Sequence, residues 1–315
     1  MKEDWKENWL VIVNPNAGAG KCWLDWPKIE SILNSFGFKY QHEFTLKKLH
    51  AIVLTRKFIN LGYRKIIVVG GDGTMNEVIN GIFLQKRFET TDIILGMIPV
   101  GTGNDWGRMF GISHNYQEAI QTILASKTFI QDAGKVIFRN KERTLHRYFV
   151  NIAGLGFDAM VVKKTNRLKD SGKSNPFIYK YNILTSLFSF KSPRATIEVD
   201  GKSVTNRVFS VSVGICKFNG GGMMPLPDAK ADDGLFDLTV IKKIARWDVI
   251  RSMKRLYDGT IVTHPKVDTY QGKSIRISSN TNIFLETDGE SLGHTPMDFE
   301  IIPRSICVLS AKETA

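Results

Sequence analysis

Residues 66–83 read IIVVGGDGTMNEVINGIF, and this stretch constrains the fold more than any other part of the chain. The apolar run at 66–69 is typical of a buried parallel strand, and apolar residues after Thr74 recur at the spacing of one helix face. The glycines between them let the backbone approach a ligand closely, while the first N–H groups of a helix lack a partner within it. The segment therefore predicts a strand, a glycine turn and a helix N-terminus that together bind a phosphate, for which a nucleotide is the natural source.

Asp72 lies inside this turn, where a carboxylate would repel a bare phosphate. Its presence predicts a cation between the two groups, and Mg²⁺ is the metal that suits such a site. A second glycine turn, PVGTGND at 99–105, follows another predicted strand. In that turn Thr102 is placed to donate to a phosphate, and Asp105 is placed to share a hydrated metal with Asp72.

The charge balance indicates an anionic partner. The formal net charge is +12, and a membrane surface, a nucleotide and nucleic acid all fit that charge. Many cytoplasmic proteins are basic without using the charge, and nucleic acid is the weakest of the three because no recognition motif accompanies it.

Cysteine use and hydropathy predict a cytoplasmic location. The three cysteines are scattered, which favours a reducing compartment and argues against a disulfide framework. The N-terminus is polar and mixed in charge, and no apolar run approaches the ~20 residues that span a bilayer. We therefore predict no signal peptide and no membrane span.

The chain is 315 residues long, which favours two domains, and its pattern of predicted strands and helices changes near residue 136. Before that point, strands predicted at 9–13, 38–44, 66–69 and 93–98 alternate with helices at 29–36, 49–61 and 116–125. This rhythm predicts a doubly wound α/β domain. After it, short alternating segments separated by Gly, Asp and Asn turns predict a mainly antiparallel β-sandwich, with helical insertions around 176–190 and 245–258. The closing segment at 297–310 reads as one more strand or pair.

Two further turns follow predicted strands in the first domain. NPNAG at 14–18 precedes GK, but Pro15 and Cys22 occupy positions that a P-loop reserves for glycine and for Ser or Thr, so that motif is excluded. Thr45 follows the second strand. Its hydroxyl suits a phosphate or ribose, and a helix N-cap is equally consistent with the sequence.

Three motifs in the second domain are ambiguous. LETDGE at 285–290 and KADDGL at 230–235 are carboxylate-rich, and each is more typical of an ordinary turn. In the second, Asp233 with nearby backbone carbonyls also suits a hard cation. GLGFDA at 154–159 matches a dinucleotide fingerprint, which we reject because no acidic residue follows at the required spacing.

The segment at 241–258 predicts a basic amphipathic helix. Its apolar positions are Ile244, Trp247, Ile250, Met253 and Tyr257. Such a helix can lie on an anionic membrane, but packing against its own domain is the more common arrangement and the one we favour.

In this order, NPNAG, GGDGTMNEVING, PVGTGND and a final DGE make the chain resemble bacterial members of the diacylglycerol kinase catalytic-domain family, which also includes sphingosine and ceramide kinases. The resemblance covers essentially the whole chain. It implies an ATP-dependent lipid kinase whose C-terminal strand returns to the first domain. We therefore predict a nucleotide-binding domain of residues 1–135 and 299–315 and a lipid-substrate domain of residues 136–298.

The resemblance also implies roles for individual residues. Its nucleotide contacts fall on Asn14, Pro15, Asn16, Ala17, Gly18, Thr45, Gly71, Asp72, Gly73, Thr74, Met75, Asn76, Glu77 and Thr102. The general base of the family lies in the DGE segment, hence Asp288 or Glu290, with Glu290 slightly favoured. A structural Mg²⁺ would use Asp233 and the carbonyl of Leu235. Lys230 replaces an acidic ligand of some relatives, so only its carbonyl would contribute.

The predicted reaction transfers the γ-phosphate of ATP to a hydroxyl of a diacylglycerol-like membrane lipid, with Mg²⁺ near Asp72 and Asp105 offsetting negative charge. Such an enzyme would work as a peripheral protein on the anionic inner face of the membrane. The sequence does not name the lipid, and a homodimer is left open. One alternative is a soluble-substrate kinase such as an NAD kinase, whose relatives share GGDGT. A second is an inactive lipid- or nucleotide-binding regulator, which would not need the four carboxylates.

Overall fold

The computed structural model describes residues 8–101, 103–170 and 185–312, and of residues 167–170 it describes the backbone alone. The chain divides into two compact units. The first comprises Met1–Asp132 and Arg304–Ala315, and the second comprises Ala133–Pro303. The predicted domain limits were 135 and 299. Each unit is described in turn.

The strands of the described chain are β1 Trp9–Val13, β2 Tyr40–Phe44, β3 Lys65–Gly70, β4 Ile94–Pro99, β5 Thr128–Asn140, β6 Arg143–Phe149, β7 Ile152–Gly156, β8 Arg194–Val199, β9 Lys202–Gly214, β10 Phe236–Lys242, β11 Val267–Gly272, β12 Ser274–Ser278, β13 Phe284–Thr287 and β14 Glu290–Leu309. The helices are α1 Lys21–Ser35, α2 His50–Asn60, α3 Asp72–Leu84, α4 Asp105–Met109, α5 Tyr116–Ala125, α6 Phe157–Asp170 and α7 Arg246–Tyr257. Residues 185–189 are also helical, and short 3₁₀ turns lie at Thr90–Asp92 and Thr260–Thr263.

The first unit is built on a parallel sheet in the order β2, β1, β3, β4. The end of β14 adds a fifth parallel strand, in which Cys307 pairs with Ile94 and Val308 with Leu95. β1 and β3 are buried along their whole length, as expected for strands covered on both faces. The predicted α/β architecture is confirmed.

Helix α1 begins eight residues before the predicted start at 29. Pro27 lies inside it, and proline in a helix interior removes one hydrogen bond. The helix nevertheless continues because its buried residues recur every three or four positions and join the core of the first unit. These residues are Cys22, Trp26, Ile29 and Leu33.

The second unit is mainly antiparallel, and the long strands β9 and β14 each pair with different strands along different parts of their length. The first half of β9 pairs with β8 and its second half with β7 and β10. The start of β14 pairs with β13, and its middle pairs with β12, which in turn pairs with β8. This arrangement confirms the predicted β-rich fold. Three stacked or edge-on phenylalanines, Phe149, Phe236 and Phe299, lie in its core.

The sequence analysis missed helix α6, which follows β7 directly. The GLGFDA segment thus does run from strand to helix, but β7 is antiparallel to both neighbours, β9 and β13. A dinucleotide fingerprint needs a parallel βαβ unit, so the pairing supports its rejection. The insertion predicted around 176–190 lies partly outside the described residues, and α7 matches the insertion predicted around 245–258.

Candidate active site

Four loops meet at the carboxyl ends of the parallel strands in the first unit, where open α/β sheets bind ligands. Backbone hydrogen bonds join the loops just beyond the strands. The N–H of Asn14 donates to the carbonyl of Val69 at 3.0 Å, and the N–H of Val100 donates to that of Gly70 at 2.9 Å. The residues predicted to contact a nucleotide after β1, β3 and β4 therefore share one edge of the sheet.

Glycines allow three of these loops to approach one another closely. A Cβ built on Gly101 would lie 3.5 Å from the Cα of Gly71 and 2.9 Å from the Oδ1 of Asn104. A Cβ on Gly18, which has a φ of +63°, would lie 3.8 Å from the Cα of Gly101. The three turns thus leave space and exposed main chain where larger residues would place side chains, as a phosphate cradle requires.

The carboxylate of Asp72 joins the third and fourth loops. Its Oδ2 accepts the N–H of Asp105 at 3.1 Å, and its Oδ1 accepts the N–H of Trp106 at 3.0 Å. These are the first N–H groups of α4, so a negative charge is favourable there. Burial and, second, the charge of Asp105 raise the pKa of Asp72 to about 6, while the two N–H donors oppose the rise. The carboxylate therefore lies in a place that favours a neutralising cation.

Asp105 is buried beside Asp72, and its Oδ1 lies 3.7 Å from the Nε of Arg108. Within the described residues, no three His, Cys, Asp or Glu side chains gather as a metal site. A pair of carboxylates still fits Mg²⁺, which usually keeps several waters and takes one or two carboxylates together with substrate phosphates. The donor set here therefore matches the predicted ion.

Asn104 is a site residue that the sequence analysis did not single out. It is buried, has a φ of +50°, and donates from its Nδ2 to the carbonyl of Gly101 at 3.1 Å. Its Oδ1 is buried without a hydrogen-bond partner and faces the glycines of both turns. A buried unpaired acceptor is costly, so this atom favours a donor from water or a ligand. Its φ, which asparagine tolerates better than most residues, was the available signal.

Several predicted nucleotide residues have structural contacts of their own. Thr74 accepts a hydrogen bond from the Nδ2 of Asn14 at 2.9 Å, which fixes both side chains. The carboxylate of Glu77 accepts the N–H groups of Leu49 and Ala51 at 2.7 and 3.1 Å, at the start of α2. Glu77 therefore caps a helix, which does not favour a direct nucleotide contact. Met75 is buried in α3 together with Asn76.

Of the two predicted threonine contacts, Thr45 is described by the structure and Thr102 is not. Thr45 is buried after β2, and its N–H donates to the carbonyl of Val13 at 2.9 Å. The N-cap position of α2 belongs to Leu49, so the alternative of Thr45 as a helix cap is wrong. Thr102 lies outside the described residues.

In the second unit, the DGE segment forms a two-residue hairpin turn between β13 and β14, with Thr287 paired to Glu290. Asp288 and Gly289 have φ values of +48° and +83°, as in a type I′ turn. Asp288 is buried, and its carboxylate accepts the N–H groups of Ile152 at 3.2 Å and Val150 at 3.4 Å. The turn is thereby fixed to the segment between β6 and β7, and Glu290 begins β14 beside it.

Carboxyl groups are concentrated around this hairpin. Glu286 is buried against Gly154, where any Cβ would lie 2.4 Å from its Oε1, and its Oε2 accepts the N–H of Gly289 at 2.9 Å. Burial raises the pKa of Glu286 well above its ordinary value, and the charges of Asp158, Asp288 and Glu290 add to the rise. Burial also raises the pKa of Asp158, which accepts a hydrogen bond from Ser210. Glu286 and Asp158 lie in the LETDGE and GLGFDA segments, but they were not singled out because the local sequence does not show that the two carboxyl groups come close together.

The predicted structural metal loop forms a turn. Asp233 is exposed, and its Oδ1 accepts the N–H of Leu235 at 3.1 Å, which matches the ordinary-turn interpretation. The environment nevertheless fits a cation, because the nearby Asp237 has a buried Oδ2 without a hydrogen-bond partner. Burial, and to a smaller extent the charges of Asp233 and Asp228, raise the pKa of Asp237. The side chain of Lys230 is exposed, and the use of its carbonyl stays a prediction.

Comparison with known proteins covers both units. The diacylglycerol kinase catalytic domain matches residues 8–136, and the YegS C-terminal NAD kinase beta sandwich-like domain matches residues 151–310. A diacylglycerol kinase of Staphylococcus haemolyticus is 31% identical over 304 residues, which is 96% of this chain and 88% of that protein. A diacylglycerol kinase of Staphylococcus carnosus is 29% identical over 96% of this chain and 95% of its own length.

Solved structures give the same result. A crystal structure of a diacylglycerol kinase from Bacillus anthracis strain Sterne is 25% identical, covers 96% of both chains and superposes with a TM-score of 0.70. Within the described residues, none of the helices is both long enough and apolar enough to cross a membrane.

Proposed function

The chain belongs to the diacylglycerol kinase family of lipid kinases, and on this premise we propose that it transfers the γ-phosphate of ATP to the hydroxyl of a diacylglycerol-like membrane lipid. The observation that carries the proposal is the convergence of the glycine turns at Gly18, Gly71 and Gly101 beside Asp72, which is half-buried, and Asp105, which is buried. Exposed main chain suits phosphates, and a carboxylate pair suits the Mg²⁺ that accompanies them.

We assign the nucleotide to the first unit. The turns at 14–18, 70–74 and 99–105 orient the phosphates through their main chain, and the N-terminus of α3 favours negative charge. Asp72 and Asp105 would hold Mg²⁺, which when bound offsets charge on the transferring phosphoryl group. Asp72 also fixes α4 against the third loop through two hydrogen bonds. It thus positions the cradle whether or not a metal is present.

We assign the proton acceptor to the second unit, with Glu290 as the base. The lipid hydroxyl loses its proton to the Glu290 carboxylate as its oxygen bonds to the γ-phosphorus. The bond from that phosphorus to the β–γ bridging oxygen breaks, which releases ADP. Asp288 uses its carboxylate on two backbone N–H groups of the neighbouring segment. We therefore place it as a positioning residue for the turn rather than as the base.

The membrane is the proposed partner. A lipid hydroxyl lies at the bilayer surface, and a chain with a formal net charge of +12 is attracted to the anionic cytoplasmic leaflet. The NAD kinase alternative shares the β-sandwich description of the second unit. We place it second because the first unit matches the diacylglycerol kinase catalytic domain.

The test is transfer of labelled γ-phosphate from ATP with Mg²⁺ to mixed micelles of diacylglycerol, phosphatidylglycerol, a sphingoid base or ceramide, with NAD as a soluble acceptor. We expect a phosphorylated lipid, which also identifies the acceptor. Transfer to NAD alone would contradict the proposal. ATP binding without transfer to any acceptor would favour the regulator instead.

A further inference from the structure

Helix α7 in the second unit presents two different faces. One face packs on its own unit, where Val249 contacts the cluster of Phe157, Val161, Leu187 and Phe209. Ser252 is the buried residue of this helix. Of the predicted apolar positions, Ile244 also packs on this cluster. The expectation that the apolar face packs on its own domain is wrong for the other four, which are exposed.

The other face carries large apolar side chains in water. Trp247 is 67% exposed, and Ile250, Met253 and Tyr257 are also exposed, at 41%, 38% and 52%. At about 100° per residue these four positions fall within an arc of roughly 120°. An uncovered apolar stripe of this kind marks an interaction surface rather than a core face.

The stripe extends to a second segment of the same unit. Phe188, in the helical residues 185–189, is 47% exposed, and the guanidinium of Arg246 lies 5.6 Å from the centre of its ring. We call the set Phe188, Trp247, Ile250, Met253 and Tyr257 the apolar stripe.

Positive charge lies beside and between the residues of the stripe. Lys243, Arg246, Arg251, Lys254 and Arg255 are all exposed. Asp248 lies 3.8 Å from Arg251, and Asp258 accepts hydrogen bonds from the backbone N–H and the hydroxyl of Thr260. Five cations against two acids give the surface around the stripe a positive charge, which is complementary to an anionic surface.

We propose that α7 and Phe188 form the membrane-docking surface of the protein, with the apolar stripe entering the interface of an anionic bilayer and the basic residues contacting lipid headgroups. Aromatic and aliphatic residues on one side of a helix with arginine and lysine around them are typical of interfacial helices. Because these basic residues are complementary to an anionic surface, we favour an anionic bilayer over a protein as the partner. This inference rests on the proposed function, because a lipid kinase must reach a substrate in a bilayer.

The test compares binding of the full chain to vesicles of phosphatidylcholine with increasing phosphatidylglycerol. We expect binding to rise with the anionic fraction and to fall with salt. Replacing Arg251, Lys254 and Arg255 by serine should lower the vesicle partition coefficient by roughly fivefold for each cation removed. The triple variant Trp247→Ser, Ile250→Ser and Met253→Ser should weaken binding by more than about tenfold, since buried apolar area adds to the electrostatic attraction.

A matched control replaces exposed apolar residues elsewhere, Val53→Ser with Leu61→Ser in the first unit, and should bind vesicles like the wild-type chain. Phosphorylation of a short-chain, water-soluble diacylglycerol reports the chemistry without a membrane. The stripe variant should keep this activity. If the wild-type chain lacks it, the proposed function fails, whereas the vesicle data still decide the docking surface.

Tryptophan fluorescence locates the contact directly. Brominated phosphatidylglycerol should quench the wild-type chain, and Trp247→Phe should remove most of that quenching while binding persists. Unchanged quenching in Trp247→Phe would overturn the proposal. So would a stripe variant that binds vesicles normally but no longer forms a concentration-dependent dimer, since the surface would then serve a second copy of the chain.

Discussion

Two aspartates, one in each unit, have nearly the same local geometry. Asp72 accepts the N–H groups of Asp105 and Trp106, and Asp288 accepts those of Val150 and Ile152. Asp288 is buried and Asp72 is half-buried, and each carboxylate fixes a glycine-containing turn to another segment of its own unit. The carboxylate therefore has the same structural use in two unrelated folds.

The surroundings of the two aspartates differ. Asp72 lies among glycine turns and helix N-termini, which favour anions and the cation that accompanies them. Asp288 lies beside Glu286, Glu290 and Asp158, where burial and the charges of its neighbours raise the pKa of Glu286. In each unit the neighbours of the turn, rather than the turn itself, set its chemistry. We expect the first region to bind phosphate and the second to accept a proton.

The largest effect should come from Glu290→Gln, which removes the proposed base. Turnover with saturating ATP and lipid should fall by ~10²–10⁴-fold, the usual contribution of a positioned general base. The dissociation constant for a nonhydrolysable ATP analogue, measured by calorimetry, should not change, since that ligand is assigned to the other region.

Asp288→Asn is the matched variant, because it keeps the shape of the turn and loses one charge. As a positioning residue, Asp288 should affect turnover less than Glu290 does and should lower the thermal midpoint. A larger loss in Asp288→Asn than in Glu290→Gln would exchange the two roles. Near-normal turnover in both would remove the base from this hairpin.

The next effect concerns the cradle. Gly101→Ala places a methyl group 2.9 Å from the Oδ1 of Asn104, so the turn must shift. We expect a loss of about 1–3 kcal/mol in the free energy of unfolding and roughly tenfold weaker binding of the ATP analogue.

Gly71→Ala is the control for that experiment. Its φ of −105° suits any residue, and its Cβ would lie 3.5 Å from the same Oδ1. The free energy of unfolding should change by less than about 0.5 kcal/mol. Equal losses of stability in the two variants would contradict the close approach of Gly101 to Asn104.

A pH experiment addresses the acidic region. Because the pKa of Glu286 is raised above its ordinary 4.5, the folded chain binds this proton more tightly than the unfolded chain. The free energy of unfolding therefore falls as pH rises from about 4.5 through the folded pKa. Glu286→Gln should make denaturant midpoints less dependent on pH over that window, while Asp158, whose pKa is also raised by burial, still contributes. Parallel pH profiles of the variant and the wild-type chain would refute this.

The smallest effect separates two roles for Glu77. Glu77 accepts N–H groups at the start of α2. Glu77→Ala should therefore lower the free energy of unfolding by about 1 kcal/mol. Binding of the ATP analogue should change little. A large loss of affinity at unchanged stability would instead restore Glu77 as the nucleotide contact that the family resemblance implies.

The fold was largely readable from the sequence because the strands of the first unit are continuous apolar runs ending in glycine turns. β1 and α5 have the predicted limits. Helix α1 extended past its predicted start because core packing outweighed the cost of Pro27. Helix α6 was missed because it follows a glycine-containing strand with no cap or break in the apolar pattern to mark its start.

The site was readable to the extent that its residues lie in glycine motifs. Gly71, Asp72 and Asp105 come from consecutive strand ends, so parallel pairing brings them together. Asn104, Glu286 and Asp158 also lie in quoted glycine-containing segments, but their roles depend on contacts between segments far apart in sequence, such as Glu286 opposite Gly154. Local pattern carries no information about such contacts.

The most direct measurement follows labelled γ-phosphate from ATP into diacylglycerol micelles for the wild-type chain and Glu290→Gln, with ATP-analogue binding recorded for both. We expect phosphorylated diacylglycerol from the wild-type chain, at least ~10²-fold less from the variant, and equal nucleotide affinities. A wild-type chain that binds the nucleotide but phosphorylates NAD and no lipid would contradict it.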